Sequence, residues 1–113
     1  MTTHIRLLDG ITILEPTGKI AGSSASELRK TISPQIEAYD EPRILINFKR
    51  VNTIDGSGLN ALMEARALTA RKKGRIGVVH VSKHIKNLVA LSRLASLFER
   101  FDSEDAAVLA LSA

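Results

Sequence analysis

The sequence predicts an α/β fold: a single domain, residues 1–113, in which a small mixed sheet packs with about four helices. The sheet is expected to combine an N-terminal hairpin with parallel strands. Three observations carry this. Two short aliphatic runs near the start flank Asp9-Gly10, a turn pair whose residues both tolerate positive φ. Strand, helix and strand then follow one another from Ile44 to Val79, a βαβ unit that implies a parallel pair and a right-handed crossover. Finally, 113 residues, 44% of them hydrophobic, suffice for one core and leave no room for two.

The elements follow in order. Ile5 to Leu8 and Ile11 to Leu14 form the hairpin, and Pro16 and Gly18 are expected to end its second strand. Ser24-Ala25-Ser26-Glu27 has the capping-box pattern, and Ala25, Leu28, Ile32 and Ile36 continue at helical spacing. Pro34 predicts a kink or a restart, with Ser33 capping the second piece. Arg43 to Phe48 is rich in β-formers, and Lys49 to Asp55 reads as a linker. A helix from about Ser57 to Lys73 closes on Gly74, a good C-cap residue. Ile76 to Val79 is apolar on both faces, as a central strand would be. Ser82 is the expected cap of a helix carrying Ile85, Leu88 and Val89, with Leu91 a further candidate. Leu97-Phe98 and Phe101 mark a last short extended segment. Asp102 or Ser103 caps the terminal helix, with Glu104 and Asp105 suited to the dipole of its first turn.

Composition narrows the function classes. There is no cysteine, which removes disulfides, thiolate zinc sites and cysteine nucleophiles together. Aromatics are only 4%, so aliphatic side chains and alanine must supply the core. The opening MTTHIRLLDG lacks the pattern of a secretory signal, and no apolar run approaches the ~20 residues of a membrane span. A cytoplasmic location is the expectation. The net charge of +4 sits mainly in Arg71, Lys72, Lys73 and Arg75, with a thinner group at Lys83, Lys86 and Arg93. No aromatic interleaves these runs, so direct nucleic-acid binding is not expected. Cations at a helix C-terminus complement its dipole, and that is the simpler reading.

One stretch invites chemistry: Thr53-Ile54-Asp55-Gly56-Ser57-Gly58-Leu59-Asn60-Ala61-Leu62, two glycines around a serine at a helix start. An esterase elbow needs glycines two residues either side of the serine, where this chain has Asp55 and Leu59. Nothing places His4, His80 or His84 beside Ser57. Gly56-x-Gly58-x-x-Ala61 matches a dinucleotide fingerprint formally. It stands seven residues from Phe48, however, and the next strand ends in His80-Val81-Ser82 with no acidic residue. His80 and His84 are four apart but are assigned to a strand end and a helix, so no metal site and no cofactor is expected. Two readings remain open: Asp55 or Ser57 is a plain N-cap, or the bare flanks expose the hydroxyl for modification.

The run Val51-Asn52-Thr53-Ile54-Asp55-Gly56-Ser57-Gly58-Leu59, followed by an alanine-rich helix, resembles the central motif of STAS domains. More closely, it is similar to that of the bacterial anti-sigma factor antagonists. The likeness extends to Pro16-Thr17-Gly18-Lys19-Ile20, the strands Ile44 to Phe48 and Ile76 to Val81, and the closing Leu97 to Ala106. The resemblance implies a regulatory binding module with no activity of its own. Its partner would be a serine protein kinase that is also the anti-sigma factor, with a phosphatase as a further partner. Ser57 would be the phospho-acceptor and Asp55 the neighbouring acid. The implied docking face comprises Asp55, Gly56, Ser57, Gly58, Asn60, Ala61 and Ala65. This chain departs from the pattern at Gly56, where the first of two paired hydroxyls is usual, and at Ala21, where the first loop usually has aspartate.

On a helical wheel Leu59, Leu62, Met63 and Ala70 share a core side with Arg66 as an intruder. Ala61, Ala65 and Leu68 form a second apolar stripe, which either the rest of the fold or a docked partner would cover. Two other functions compete. A STAS subunit of a membrane-associated assembly, such as a lipid-transport ATPase, would not need Ser57 modified. A stand-alone enzyme is disfavoured by the lack of any polar constellation.

Overall fold

The computed structural model describes residues 2–113 and gives a mixed sheet flanked by four helices. Strands β1 (Thr2–Leu8) and β2 (Ile11–Ile20) form the antiparallel hairpin, and helix α1 (Ser23–Glu37) follows. Then come β3 (Arg43–Asn47), β4 (Val51–Ile54), α2 (Gly56–Arg71), β5 (Arg75–Val79), α3 (Leu88–Leu97), β6 (Glu99–Phe101) and α4 (Glu104–Leu111). The strand order is β1-β2-β3-β5-β6, with β4 paired to the far end of β2. All pairings after the hairpin are parallel. One face of the sheet carries the larger core, which includes Leu14, Ile44, Ile46 and Val78 from the strands, Leu28, Ile32 and Ile36 from α1, Leu62 from α2 and Leu94 from α3. The other face packs Ile11, Ile13, Leu45 and Val79 against Ala107 and Leu111 of α4.

Asp9 and Gly10 take φ of 52° and 79°, the paired positive values expected for the tight turn. The second strand, however, runs through Pro16 and Gly18 to Ile20. It pairs with β3 only over Thr12–Leu14 and with β4 only over Gly18–Ile20, so Pro16 falls in the gap where no ladder bond to either is needed. Gly18, at φ 96°, begins a register shift that turns the strand from one partner to the next. The supposed linker after Phe48 is that next partner. In β4, Val51 and Ile54 are buried and Asn52 is exposed, a pattern too short to read as alternation.

Two helix starts and one helix end differ from expectation. α1 begins at Ser23 after Gly22, with backbone turns from Ser24 N–H to Ala21 O (3.0 Å) and from Ala25 N–H to Gly22 O (3.1 Å) in place of a capping side chain. Pro34 does not restart it. The helix is continuous: proline removes only the N–H that would face the carbonyl of exposed Lys30, and the helix closes with Ala38 N–H to Pro34 O at 3.0 Å. α3 begins at Leu88, not after Ser82. Asn87 caps it because one side chain does two jobs: its carbonyl accepts from Ala90 N–H (3.1 Å) and its amide donates to Ile54 O (2.5 Å). Leu88 and Val89 are consequently exposed, and Ala90 and Leu94 are the buried positions.

At the end of α2 the left-handed residue is Lys73, φ 57°, not Gly74. Lys73 N–H to Ala70 O (3.0 Å) and Gly74 N–H to Thr69 O (2.9 Å) form a Schellman motif. Gly74 is required for a different reason: a Cβ there would overlap the carbonyl oxygen of Pro42.

Candidate functional site

The corner between β4 and α2 is built against the end of β2. Asp55 N–H donates to Ile20 O at 3.3 Å, fixing the turn. Gly58 presses on that same carbonyl so closely that a Cβ would overlap it, so glycine is obligatory at this position. Gly56 differs. A Cβ there would meet nothing within 4 Å, and its φ is ordinary. Of the two bare positions flanking Ser57, the fold demands one and leaves the other free.

Asp55 caps α2 and ties three groups together. Its Oδ1 accepts from Gly58 N–H (2.8 Å) and from the Ser57 hydroxyl (2.7 Å). Its Oδ2 accepts from Gly22 N–H (3.1 Å), which also lies 3.2 Å from Ser57 Oγ as donor. The Ser57 hydrogen bond, reinforced by those from the backbone, holds the Asp55 carboxyl below its usual range. Asp55 is therefore an anion and a weak base at neutral pH. Of the two cap candidates Asp55 is the cap, and Ser57 is partly exposed with its hydroxyl bonded to Asp55 and Gly22.

The structure brings together Asp55, Gly56, Ser57 and Gly58, with Asn60 exposed on the next turn. It does not offer Ala61 and Ala65 to a partner. These are 1% and 4% exposed, on a helix that packs against α1, so the stripe assigned to docking is covered by the fold itself. Gly58 is likewise buried. On the other side of α2, Leu62 is core and Leu59 and Met63 lean on it, but Ala70 is exposed. Arg66 sends Nε to Leu97 O at 2.5 Å, which accounts for a cation on an apolar side. Sequence reasoning missed Gly22. Its φ of 55° and ψ of −127° favour glycine, and a glycine directly before a serine-rich helix start was the available signal.

The other candidates are absorbed by structure. His84 Nε2 lies 3.1 Å from Phe48 O, and its Nδ1 meets Ser82 Oγ. No cluster of three or more His, Asp or Glu suited to a metal occurs among the described residues. In the basic run, Lys72 donates to Glu37 O at the end of α1 (3.0 Å), and Arg75 bonds Glu99 (2.5 and 3.0 Å) and Ala110 O (2.9 Å). Glu104, expected only to favour the α4 dipole, also pairs with Arg6 (2.6 Å) and accepts from Asn47 (2.7 Å). Burial works to raise its pKa, but these partners outweigh burial and leave the net shift downward. A shallow cleft of about 200 Å³ opens beside the opposite half of α2, between Arg66, Thr69, Ile76 and Leu97, so depth does not mark the corner. No helix among the described residues is long and apolar enough to cross a membrane.

The fold agrees with the comparisons to known proteins. The chain belongs to the STAS domain family, whose profile matches residues 3–107. A relative from Bordetella bronchiseptica, BtrV, named as a candidate anti-sigma factor antagonist, is 21% identical over 103 residues, covering 91% of this chain and 88% of that one. Among solved structures, a candidate anti-sigma factor antagonist from Thermotoga maritima superposes with a TM-score of 0.84 at 16% identity, covering 98% and 95% of the two chains. The anti-sigma factor antagonist SpoIIAA in its unphosphorylated form gives 0.72 at 14% identity and 96% coverage of each chain. The phosphorylated form of SpoIIAA, from Bacillus, gives 0.68 at 18% identity, covering 93% and 96%. At such identities the superpositions establish the fold.

Proposed function

We propose that this chain is an anti-sigma factor antagonist: a cytoplasmic binding module for a serine-kinase anti-sigma factor, released by phosphorylation of Ser57. The observation that carries this reading is the half-buried hydroxyl of Ser57, beside a glycine the fold does not require, at a helix start otherwise locked to β2. The names of the relatives support the role, and the phosphorylated form of SpoIIAA supports the switch.

In the transfer, Ser57 Oγ bonds to the γ-phosphorus of ATP, ADP leaves, and the hydroxyl proton passes to the kinase or to water. That proton is the one Asp55 Oδ1 accepts at 2.7 Å. Once it is gone, the ester oxygen has no proton to donate and the terminal phosphate oxygens, carrying nearly two negative charges, stand beside a carboxylate, so the contact must open. α2 survives because its first-turn N–H groups and dipole favour an anion. The effect therefore falls on partner binding, where an unpaired buried charge costs several kcal/mol and each ~1.4 kcal/mol is tenfold in affinity.

The test compares binding of a kinase-type anti-sigma factor to the wild type, Ser57→Ala and Ser57→Asp. The account expects Ser57→Ala to bind, no longer to be released by ATP, and Ser57→Asp to bind at least tenfold more weakly. Equal affinity of Ser57→Asp and wild type would end the charge-switch reading.

A further inference from the structure

Besides β4, which pairs only with β2, the sheet ends in two edge strands, and they are unequal. β6 is three residues long, whereas β1 runs for seven along the outside of β2. Natural edge strands are guarded by lysine, proline, bulges or inward charges, because an unpaired row of N–H and C=O groups accepts another strand. Thr2-Thr3-His4-Ile5-Arg6-Leu7-Leu8 contains no lysine, proline, glycine or acid, and its register with β2 is unbroken from Thr2↔Thr17 to Leu8↔Ile11. Its one strong cation, Arg6, is drawn to Glu104 of the same chain at 2.6 and 2.8 Å, which cancels the charge that would repel a neighbour.

The side chains point the same way. Ile5, Leu7 and Leu8 are 44%, 63% and 43% exposed. Ile5 and Leu7 stand opposite Leu14 and Thr12 on one face of the sheet, and Leu8 stands opposite Ile11 on the other. A docked helix would cover one face and leave the ladder unpaired; a strand covers both and completes it.

We propose that β1 pairs antiparallel with β1 of a second copy of this chain, joining the two sheets across a two-fold axis. The edge is self-complementary. Centred on Ile5, the pairing sets Ile5 against Ile5 of the second copy and Thr3 against its Leu7, while Arg6 faces His4 and not the other Arg6. A strand of seven residues is only about 24 Å long. Its contact falls below the ~1,200 Å² of stable complexes, so the dimer is weak and reversible. The inference does not depend on the function proposed for Ser57.

The absence of cysteine provides the test. Ile5→Cys is expected to give a disulfide-linked dimer as the main product of mild oxidation. Tyr39→Cys, at a side chain of similar exposure (40%), should stay largely monomeric at the same concentration. In sedimentation from about 10 µM to about 1 mM, the mass of the wild type should rise toward twice the monomer, as mass action requires. Leu7→Lys, a gatekeeper at an exposed position, should hold it at the monomer without changing the folded spectrum. A wild type that stays monomeric throughout overturns the proposal. So does a dimer that Leu7→Lys leaves intact, or cross-linking no greater at Ile5→Cys than at Tyr39→Cys.

Discussion

The two ends of α2 carry similar residues and serve different ends. Both have glycine pressed on a carbonyl: Gly58 on Ile20 at the start and Gly74 on Pro42 at the finish. At the finish Lys72 and Arg75 are consumed by the fold, while Arg71 and Lys73 stay exposed. Lys72 closes α1, Arg75 holds Glu99 and the end of α4, and the Schellman bonds satisfy the last turn. At the start something is left over. Asp55 does the capping, Gly58 does the packing, and neither Gly56 nor the outer face of Ser57 is required by either task. What separates the two ends is Gly56, which the fold does not require, beside a partly exposed Ser57 whose hydroxyl bonds Asp55 and Gly22.

Substitutions at these glycines can break or sharpen that contrast. The largest effect is expected for Gly58→Ala, where a Cβ must displace backbone; such overpacking costs about 3 kcal/mol. In urea unfolding the midpoint should fall accordingly, and an unchanged midpoint would mean that β2 and α2 are not locked together. Gly74→Ala should cost about 2 kcal/mol for the same reason. Its neighbour behaves oppositely: Lys73→Gly relieves a left-handed non-glycine and should stabilise by about 1 kcal/mol. Gly56→Ala should change stability by less than about 0.5 kcal/mol, the small propensity gain of an open helix position. It should nonetheless weaken partner binding, and a variant neutral in both assays would remove Gly56 from the site.

The pH dependence tests Asp55 directly. Its folded pKa lies below the unfolded value, so its contribution is complete above the ordinary carboxylate pKa of about 4 and is lost as pH falls through the folded value. Glu104 has the same sign. Between about pH 5 and pH 2 the wild type should therefore lose more stability than Asp55→Asn. Parallel curves would show that the corner carboxylate is not held as described.

Features fixed by neighbours in the chain were legible in the sequence; those fixed across space were not. Asp9-Gly10 needs two positive φ angles in a row, and Ser103 caps α4 through its own helix, accepting from Ala106 N–H at 3.1 Å, so both could be read locally. Asn87 could not be preferred to Ser82, because what decides between them is the carbonyl of Ile54. β4 was hidden for a related reason: four residues show no alternation, and its partner is a strand expected to end at Gly18. Ala61 and Ala65 looked like a docking stripe because a wheel shows which residues share a face and not which face α1 covers. The same blindness made Gly56 and Gly58 look equivalent.

The most direct measurement is the intact mass of the chain, with peptide mapping, after incubation with ATP and a serine-kinase anti-sigma factor that binds it. The account predicts one added phosphoryl group, located on Ser57 and absent from Ser57→Ala, with the modified fraction no longer retained by the kinase. A bound chain that gains no phosphate, or gains it elsewhere, would contradict the role assigned to this corner.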